Sequence, residues 1–213
     1  MKDHSDSEDQ GARQRLLEVA AKLFADKGLD GTSVRDIARE AALNLSLISY
    51  YFGGKEGLYL ELIRNFALNI KCELQSIVDM FEAEGSSVES IQKFLTELVG
   101  NHSRIRERHP HMGRIMQRER FSGLPFAKEI YETTFAPVAR ALVAQLVKAQ
   151  KKGLIRKEIN PLLIVIFLQE AIIGFHNLMD CPLKLFDSPL EKTKNFKDYE
   201  NQLVNIFLNG IMF

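Results

Sequence analysis

Hydrophobic residues recur along almost the whole chain with the spacing of an α-helix rather than the alternation of a β-strand. The apolar residues between Ala12 and Lys27 fall on one broad face, and Gly28 follows as a helix stop. Thr32 or Ser33 is a suitable N-cap for a second helix. That helix has inward positions at Val34, Ile37, Ala38 and Ala41. A third short helix is predicted after Asn44 and ends at the glycine pair 53–54.

The same periodicity predicts further helices up to the end of the sequence. They are predicted at Lys55 to about Phe81, Val88–Arg108, His111–Phe121, Phe126–Lys152, Pro161–Met179 and Asp198–Asn209. Five of the six prolines lie at or beside these boundaries, whereas Pro137 lies inside a predicted helix, where we expect a kink or a break. No segment shows the alternation of a strand. The pattern therefore predicts an all-α fold.

Composition is ordinary for a soluble globular protein. The 213 residues are 46% hydrophobic and 26% charged, and 28 Lys and Arg balance 28 Asp and Glu. Cys72 and Cys181 cannot form a disulfide framework, and no Cys/His spacing resembles a zinc site. We therefore expect no metal and no cofactor.

Neither a signal peptide nor a membrane span is predicted from the hydropathy. The first ten residues are polar and acidic. The apolar run from Leu162 to Leu168 is stopped by Gln169 and Glu170, well short of the roughly 20 residues that span a bilayer. We expect a cytoplasmic protein with no membrane partner.

Residues 12–52 have the layout of a helix-turn-helix, in which a third helix is held against the DNA major groove. A plain three-helix subdomain is the alternative. The outward face of the third helix favours DNA, because it has no acidic residue and offers hydroxyl groups and leucines to a groove. Between Gly11 and Lys55, seven basic residues face five acidic ones. So weakly basic a domain argues for a dimer on a two-fold operator.

Two segments of this region carry a family resemblance. Residues 28–38 read GLDGTSVRDIA and residues 42–58 read ALNLSLISYYFGGKEGL. From about Arg13 to Leu62 the chain resembles the TetR-type bacterial transcription regulators in both spacing and residue identity. Ala42 departs from the glycine common in the family's turn, a change that costs little if φ is not positive there.

The resemblance implies a role in DNA binding for particular residues. Thr32, Ser33 and Lys55 match positions that contact phosphate, and Tyr51 stands where the family often has a histidine that reaches the backbone. Leu45 stands where a lysine is frequent, and Ser49 where a tyrosine or asparagine is frequent. The DNA-contacting set implied in this way is Thr32, Ser33, Arg35, Asn44, Leu45, Ser46, Leu47, Ser49, Tyr50, Tyr51 and Lys55.

We expect three parts in the chain, of which the last two are implied by the resemblance. These are a disordered acidic tail at 1–10, a helix-turn-helix DNA-binding domain at 11–56 and a helical ligand-binding and dimerisation domain at 57–213. Two helices of each subunit pair in the family's dimer interface. We place this interface in Pro161–Met179, which is apolar nearly all round, and in the terminal stripe of Tyr199, Leu203, Ile206 and Phe207.

The ligand pocket is less clearly marked. The arginine-rich segment 101–120 could clamp an anionic effector, but a solvated face with ion pairs is the favoured interpretation. His102, His109 and His111 are interpreted as surface histidines rather than metal ligands. The candidate ligand-binding residues are Met112, Met116, Arg118, Phe121, His176 and Asn177, of which Met112 and Met116 are more simply core and His176 and Asn177 more simply hydrogen-bonded interior residues.

The sequence distinguishes between three classes of function. An enzyme is disfavoured, because no Ser/His/Asp arrangement, glycine-rich phosphate loop or carboxylate–histidine register is found. A membrane-surface protein is disfavoured because no basic amphipathic helix with exposed aromatics stands out. The sequence predicts a DNA-binding regulator, usually a repressor in this family, which binds a palindromic operator as a homodimer and is modulated by a small-molecule effector.

Overall fold

The computed structural model describes residues 3–179 and 196–212, and nearly all secondary structure in these ranges is helical, which confirms the all-α prediction. One isolated antiparallel bridge pairs Ile155 with Met212. The helices are α1 Asp3–Lys27, α2 Val34–Ala41, α3 Ser46–Phe52, α4 Lys55–Glu84, α5 Val88–Arg108, α6 Met112–Phe121, α7 Lys128–Ile130, α8 Ala136–Lys151, α9 Pro161–Met179 and α10 Phe196–Ile211.

Helix α1 begins earlier than the hydrophobic pattern predicts. It is continuous from Asp3 to Lys27, so residues 3–10, expected to be a disordered tail, are two further turns of helix. Neither proline nor glycine interrupts the sequence before Gly11, and acidic residues near a helix N-terminus are favoured by the helix dipole. The spacing of apolar residues shows neither of these two features, so it predicts a later start for the helix.

The turn between α2 and α3 contains a residue in the left-handed region. Ala42 has φ 56° and ψ 40°, and its N–H group bonds to the carbonyl oxygens of Ala38 and Arg39. This is the position where the family commonly has glycine. Alanine would cost little here only if φ were not positive, and this condition is not met, so the Cβ atom is unfavourably placed.

The predicted helix 126–152 is interrupted close to Pro137. A π-helical turn at Tyr131–Phe135 separates α7 from α8, which starts at Ala136. Proline has no N–H group to donate, and its ring would clash with the carbonyl of Thr133 in a regular α-helix. The wider turn avoids both problems and confirms the predicted break.

The chain divides into two compact units. Unit 1 comprises residues 1–69 and 108–134, and unit 2 comprises residues 70–107 and 135–213. The first half of α4 and all of α6 thus pack with the N-terminal helices, a division that differs from a boundary at residue 56. Whether function divides at residue 56 stays a prediction.

In unit 1, α1 is the central element and contacts α2, α3 and α6. Its fully buried residues Leu16, Ala20 and Phe24 form the inward face that the periodicity predicts. The Tyr59 ring packs edge-on against Phe24, with ring centroids 5.1 Å apart. The inner face of α1 thereby fixes the start of α4.

In unit 2, α9 contacts both α8 and α10. One face of α9 is buried in the core through Ile164, Leu168 and Ile172. The other core members include Ile77, Phe81, Ile91, Phe94, Leu95, Val99, Leu142, Leu146, Ile155, Leu203 and Val204.

Candidate DNA-binding interface

Helix α3 has a buried side and an open side. Ile48 is fully buried beneath it, whereas Tyr50 is 75% exposed and Ser46 and Ser49 are also exposed. The Asn44 side-chain oxygen accepts hydrogen bonds from the Ser46 N–H group and hydroxyl, both at 2.9 Å. This cap starts the helix where the sequence predicts, so that the polar residues face outward.

The candidate contacts of α3 are therefore accessible to different degrees. Leu45 is exposed, Leu47 is half-buried, and Tyr51 is half-buried with its ring 5.0 Å from that of Tyr50. The Arg13 guanidinium lies over the Phe52 ring at 5.3 Å and forms an ion pair with Glu61 at 2.5 Å. Arg13 thereby ties the end of α3 to both α1 and α4.

The start of α2 supplies backbone donors and a side-chain cap. The Ser33 hydroxyl oxygen accepts the Asp36 N–H at 3.1 Å, and the hydroxyl donates to the Asp36 carboxylate at 2.6 Å. The hydrogen bond from Ser33, aided by the nearby Arg39 charge, lowers the pKa of Asp36 below its ordinary value. Arg35 projects from the first turn and is exposed.

Thr32 does not fit the role that the resemblance implies for its hydroxyl group. The residue is 1% exposed, and its hydroxyl lies 2.8 Å from the Gly28 carbonyl oxygen and 3.2 Å from that of Leu23. A phosphate cannot reach this buried group. The predicted side-chain contact is corrected: Thr32 closes the loop after α1 and positions Ser33 next to it.

A surface hollow lies beside the start of α2. Its volume is about 370 Å³. It is lined by Asp30, Gly31, Thr32, Ser33, Val34, Asp36 and Lys55. The Lys55 ammonium donates to the Leu29 carbonyl oxygen at 2.8 Å, which holds the charge at the hollow and leaves further N–H donors. An ammonium group beside a helix N-terminus suits a phosphate, although two carboxylates share the hollow.

One acidic neighbour of this surface was missed from the sequence. The Tyr51 hydroxyl donates to the Asp9 carboxylate, which belongs to the N-terminal turns of α1. The hydrogen bond to Asp9, together with burial, raises the pKa of Tyr51 to about 12. Helix α3 itself has no acidic residue on its outward face, as the sequence predicts. The N-terminal turns of α1, however, bring the Asp9 carboxylate to this face.

The candidate ligand-binding residues are divided between the two units. Met112 and Met116 are buried on α6 in unit 1, whereas His176 is buried and Asn177 half-buried on α9 in unit 2. Phe121 is 84% exposed, so its expected place in a pocket lining is wrong.

Arg118 and its neighbours make polar contacts at the surface. Arg118 donates to the backbone carbonyl of Asp26 at 3.1 Å, and Arg114 pairs with the Asp26 carboxylate at 2.9 Å. Arg104 pairs with Glu97 at 3.1 Å. For Arg104 and Arg114 the structure bears out the ion-paired face that the sequence favours over an effector clamp, whereas Arg118 is held by a backbone carbonyl.

The histidines of the same segment are less exposed than expected. His102 is half-buried and stacks on His176, with ring centroids 5.7 Å apart. His109 packs edge-on against Phe66 at 5.6 Å. The surface interpretation is wrong for both, because α5 and the loop after it turn these rings towards neighbouring helices. No group of three or more potential metal-ligating residues occurs in the described ranges.

Residues 161–178, within α9, form the one described segment long and apolar enough to cross a bilayer by length and composition. This segment is longer than the apolar run from Leu162 to Leu168 because it includes Gln169 and Glu170. In this structure α9 is a helix of unit 2, and 28% of the segment 161–178 is buried. Much of its apolar surface therefore faces outward.

Comparison with known proteins agrees with this geometry. Residues 16–62 match the family described as "Bacterial regulatory proteins, tetR family". The chain is 34% identical over 121 residues to the probable HTH-type transcriptional regulator YttP of Bacillus subtilis, a match that spans 57% of this chain and 56% of that protein. It is 27% identical to the HTH-type transcriptional repressor KstR2 of Rhodococcus jostii, with 76% of each covered.

Longer matches extend the likeness to the whole chain. The biofilm operon regulator IcaR of Staphylococcus aureus is 26% identical over 204 residues, with 92% of this chain and 98% of that protein covered. The solved structure of the ketosteroid regulator KstR2 of Mycobacterium tuberculosis has a TM-score of 0.71 at 25% identity, covering 94% of this chain and 95% of that one. The hemolysin II regulator HlyIIR shares the fold, with a TM-score of 0.66 at 20% identity and 96% and 99% covered.

The capped α3 with its outward polar face, held over buried Ile48, defines a helix-turn-helix DNA-binding regulator. Residues 16–62 carry the tetR family match, and the whole chain shares its fold with the KstR2 regulator.

Proposed function

We propose that this protein is a repressor that binds a palindromic operator as a homodimer through the outward face of α3 and is modulated by a small-molecule effector. It acts in the cytoplasm and is not an enzyme. The observation that carries the proposal is the 75% exposure of Tyr50 on a helix whose opposite side is fixed by buried Ile48. The Tyr50 ring contacts Tyr51 but leaves most of its surface exposed, which suits contact with a groove wall.

The proposed DNA contacts are divided between two kinds of group. The hydroxyl and amide side chains of α3 and the turn before it, with two leucines, meet base edges, while the start of α2 meets phosphate. The set is Ser33, Arg35, Asn44, Leu45, Ser46, Leu47, Ser49, Tyr50, Tyr51 and Lys55. Thr32 is left out because its hydroxyl is buried.

Repression is favoured by the names of the relatives. Two of them, KstR2 and IcaR, are named as a transcriptional repressor and a negative transcriptional regulator. A regulator that occupies a promoter competes with polymerase, and release by an effector then requires that the effector bind the DNA-incompetent state more tightly.

The outward face of α9 supports the homodimer. Leu162, Leu163, Ile166 and Phe167 are exposed there, opposite the row that enters the core. On α10, Ile206 is 67% exposed, while Leu203 is buried. Because α9 contacts α10, we propose that these residues belong to one apolar surface of the kind that marks a protein interface. A second copy of this chain would cover it.

The effector is proposed to bind within residues 57–213. Of the candidate residues, His176 and Asn177 remain as lining residues in unit 2, whereas Met112 and Met116, which are buried in unit 1, are assigned to the core of that unit. Arg118 is assigned to its contact with Asp26 instead, and exposed Phe121 is left out.

Sedimentation and a DNA mobility shift together test this proposal. Wild-type protein should sediment as a dimer and should shift the DNA upstream of its own gene at a lower concentration than a scrambled duplex. Ile206→Asp places a charge on a residue that is exposed in the single chain, so the variant should fold, sediment as a monomer and bind the operator weakly. The matched control is Asn205→Asp on the same helix, also exposed. A dimeric Ile206→Asp protein, or equal affinity for both duplexes, would contradict the proposal.

A further inference from the structure

Unit 2 contains a group of polar side chains that the DNA-binding function does not use. The imidazole rings of His102 on α5 and His176 on α9 stack with 5.7 Å between centroids and 27° between planes. His176 is 2% exposed, in a helix that is otherwise apolar on its inner face. Two stacked imidazoles joining α5 to α9 are an unusual choice for a core that aliphatic residues could fill.

A third polar group lies next to this pair in sequence. Asn101 on α5 is 3% exposed, and its amide nitrogen has no hydrogen-bond partner among the described residues. A buried amide N–H group without an acceptor typically costs about 1–3 kcal/mol. Such a group in a native protein calls for an explanation, and a ligand that supplies the acceptor is one.

The charge near these groups is positive. Burial lowers the pKa of His102 to about 4, and the positive charge of Arg106 lowers it further. Burial also lowers the pKa of His176 to about 4, with smaller contributions from Arg106 and His102. Both rings are therefore neutral at pH 7, and each can present one N–H donor in the field of a guanidinium.

We propose that Asn101, His102, Arg106 and His176 form the polar end of an effector site that receives the carboxylate of a small, mainly apolar acid. This site names the chemical class of the effector in the proposed function. Only the effect of the bound acid on operator binding rests on that function.

The donor set selects a carboxylate over other ligands. Each of the four side chains can donate a hydrogen bond, and an ionised carboxylate is an acceptor only. The positive field favours an anion over an alcohol and repels an amine. Two imidazoles without a third metal-ligating residue are too few for a structural metal ion, and the described ranges contain no larger group.

The surroundings favour an apolar body for the same ligand. Val99 and Ile105 are buried on α5 on either side of the polar residues. On α9, Ile172 is buried one turn before His176, and Phe175 is buried directly beside His176 in the sequence. The Phe175 ring stacks on that of Tyr199, with ring centroids 3.6 Å apart. Aliphatic and aromatic side chains with a few convergent donors are the usual lining of a small-molecule site.

Ligand binding to the free protein tests the proposal. The probes are octanoate, decanoate, dodecanoate, phenylacetate and naphthylacetate, each compared with the alcohol of the same carbon skeleton. At least one acid should raise the thermal midpoint of the wild-type protein and bind about tenfold or more tightly than its alcohol. In NMR spectra of histidine-labelled protein, the same acid should shift the ring signals of His102 and His176 and leave that of His111 unchanged.

Variants separate a binding role from a structural one. Asn101→Leu and His176→Phe should fold, with unchanged or raised stability, and should lose about tenfold or more of the affinity for the acid. Asn69→Leu changes an exposed asparagine and should leave the affinity unchanged. Should either core variant fail to fold, the ring signals of the wild-type protein give the answer alone.

The outcomes distinguish this site from the DNA-binding function. If no acid shifts the two ring signals, or if acids and alcohols bind equally well, the site is wrong whatever the protein does on DNA. If an acid binds at these residues but the unliganded protein fails to select its operator, the site stands and the proposed function is wrong.

Discussion

The phenol of Tyr59 on α4 donates a 3.0 Å hydrogen bond to the buried carboxylate of Glu119 on α6. The same carboxylate accepts the N–H groups of Phe126 and Ala127 at 3.1 and 3.0 Å. Burial raises the pKa of Tyr59 well above its ordinary value, and the charge of Glu119 adds to the effect. One acidic side chain therefore joins α4, α6 and the loop after α6 within unit 1.

Removal of this carboxylate should destabilise unit 1 strongly. Glu119→Ala leaves three donors without an acceptor and should lower the free energy of unfolding by about 2–4 kcal/mol. Tyr59→Phe removes one donor only and should cost about 1–2 kcal/mol. Chemical denaturation measures both, with exposed Glu129→Ala as the control. A Glu119→Ala protein as stable as the control would show that the carboxylate is not structural.

Local helical signals were readable from the sequence, and long-range polar contacts were not. The bounds of α5 and α9 are as predicted, because proline and apolar period mark them independently. The Tyr59–Glu119 pair joins residues 60 positions apart, which no local period encodes. The role of the Thr32 hydroxyl was misjudged for a similar reason: a motif gives a residue's place in the chain but not its partners in space.

Ala42→Gly should stabilise the protein. Ala42 has φ 56°, a conformation that glycine adopts without a steric penalty. Relief of this strain outweighs the greater freedom of glycine in the unfolded chain, and we expect a gain of about 0.5–1 kcal/mol in the free energy of unfolding. The control is Ala12→Gly, in the interior of α1, which should lose about 1 kcal/mol. A loss of stability in Ala42→Gly would contradict the strain at the turn.

Acidification should weaken the fold through the two stacked histidines. Their pKa values are lowered to about 4 in the folded protein, while an unfolded histidine titrates near 6.5. The unfolded chain therefore binds more protons, so this stabilisation is complete above pH 6.5 and is lost as the pH falls from 6.5 through 4. Urea midpoints at pH 7.5, 6.5 and 5.5 should decrease in that order.

A substitution identifies the groups responsible for that dependence. In His176→Phe, the urea midpoint should decrease less between pH 6.5 and 5.5 than in the wild-type protein. One titrating ring is removed, and the charge of Arg106 then acts only on His102. His111→Gln is the control and should retain the wild-type slope. An unchanged slope in His176→Phe would assign the pH dependence to other groups.

The acidic start of α1 should weaken DNA binding. The Asp9 carboxylate holds the Tyr51 hydroxyl and places a negative charge beside the proposed interface. Asp9→Asn should therefore raise the affinity for operator and scrambled DNA alike, by about two- to fivefold at low salt, and the gain should shrink as salt increases. Exposed Glu82→Gln, on α4 in unit 2, should have no such effect. Equal affinities of the Asp9 variant and the wild-type protein at low salt would show that Asp9 does not act on DNA.

The most direct test of the central claim is the operator affinity of Tyr50→Ala, measured together with its thermal midpoint. Tyr50 is 75% exposed in the free protein, so the substitution should move the midpoint by less than about 2 °C. If α3 is the recognition helix, the variant should bind the operator about tenfold or more weakly than wild type, and Tyr50→Phe should fall in between. A folded Tyr50→Ala protein with wild-type operator affinity would contradict the account, and so would one that unfolds.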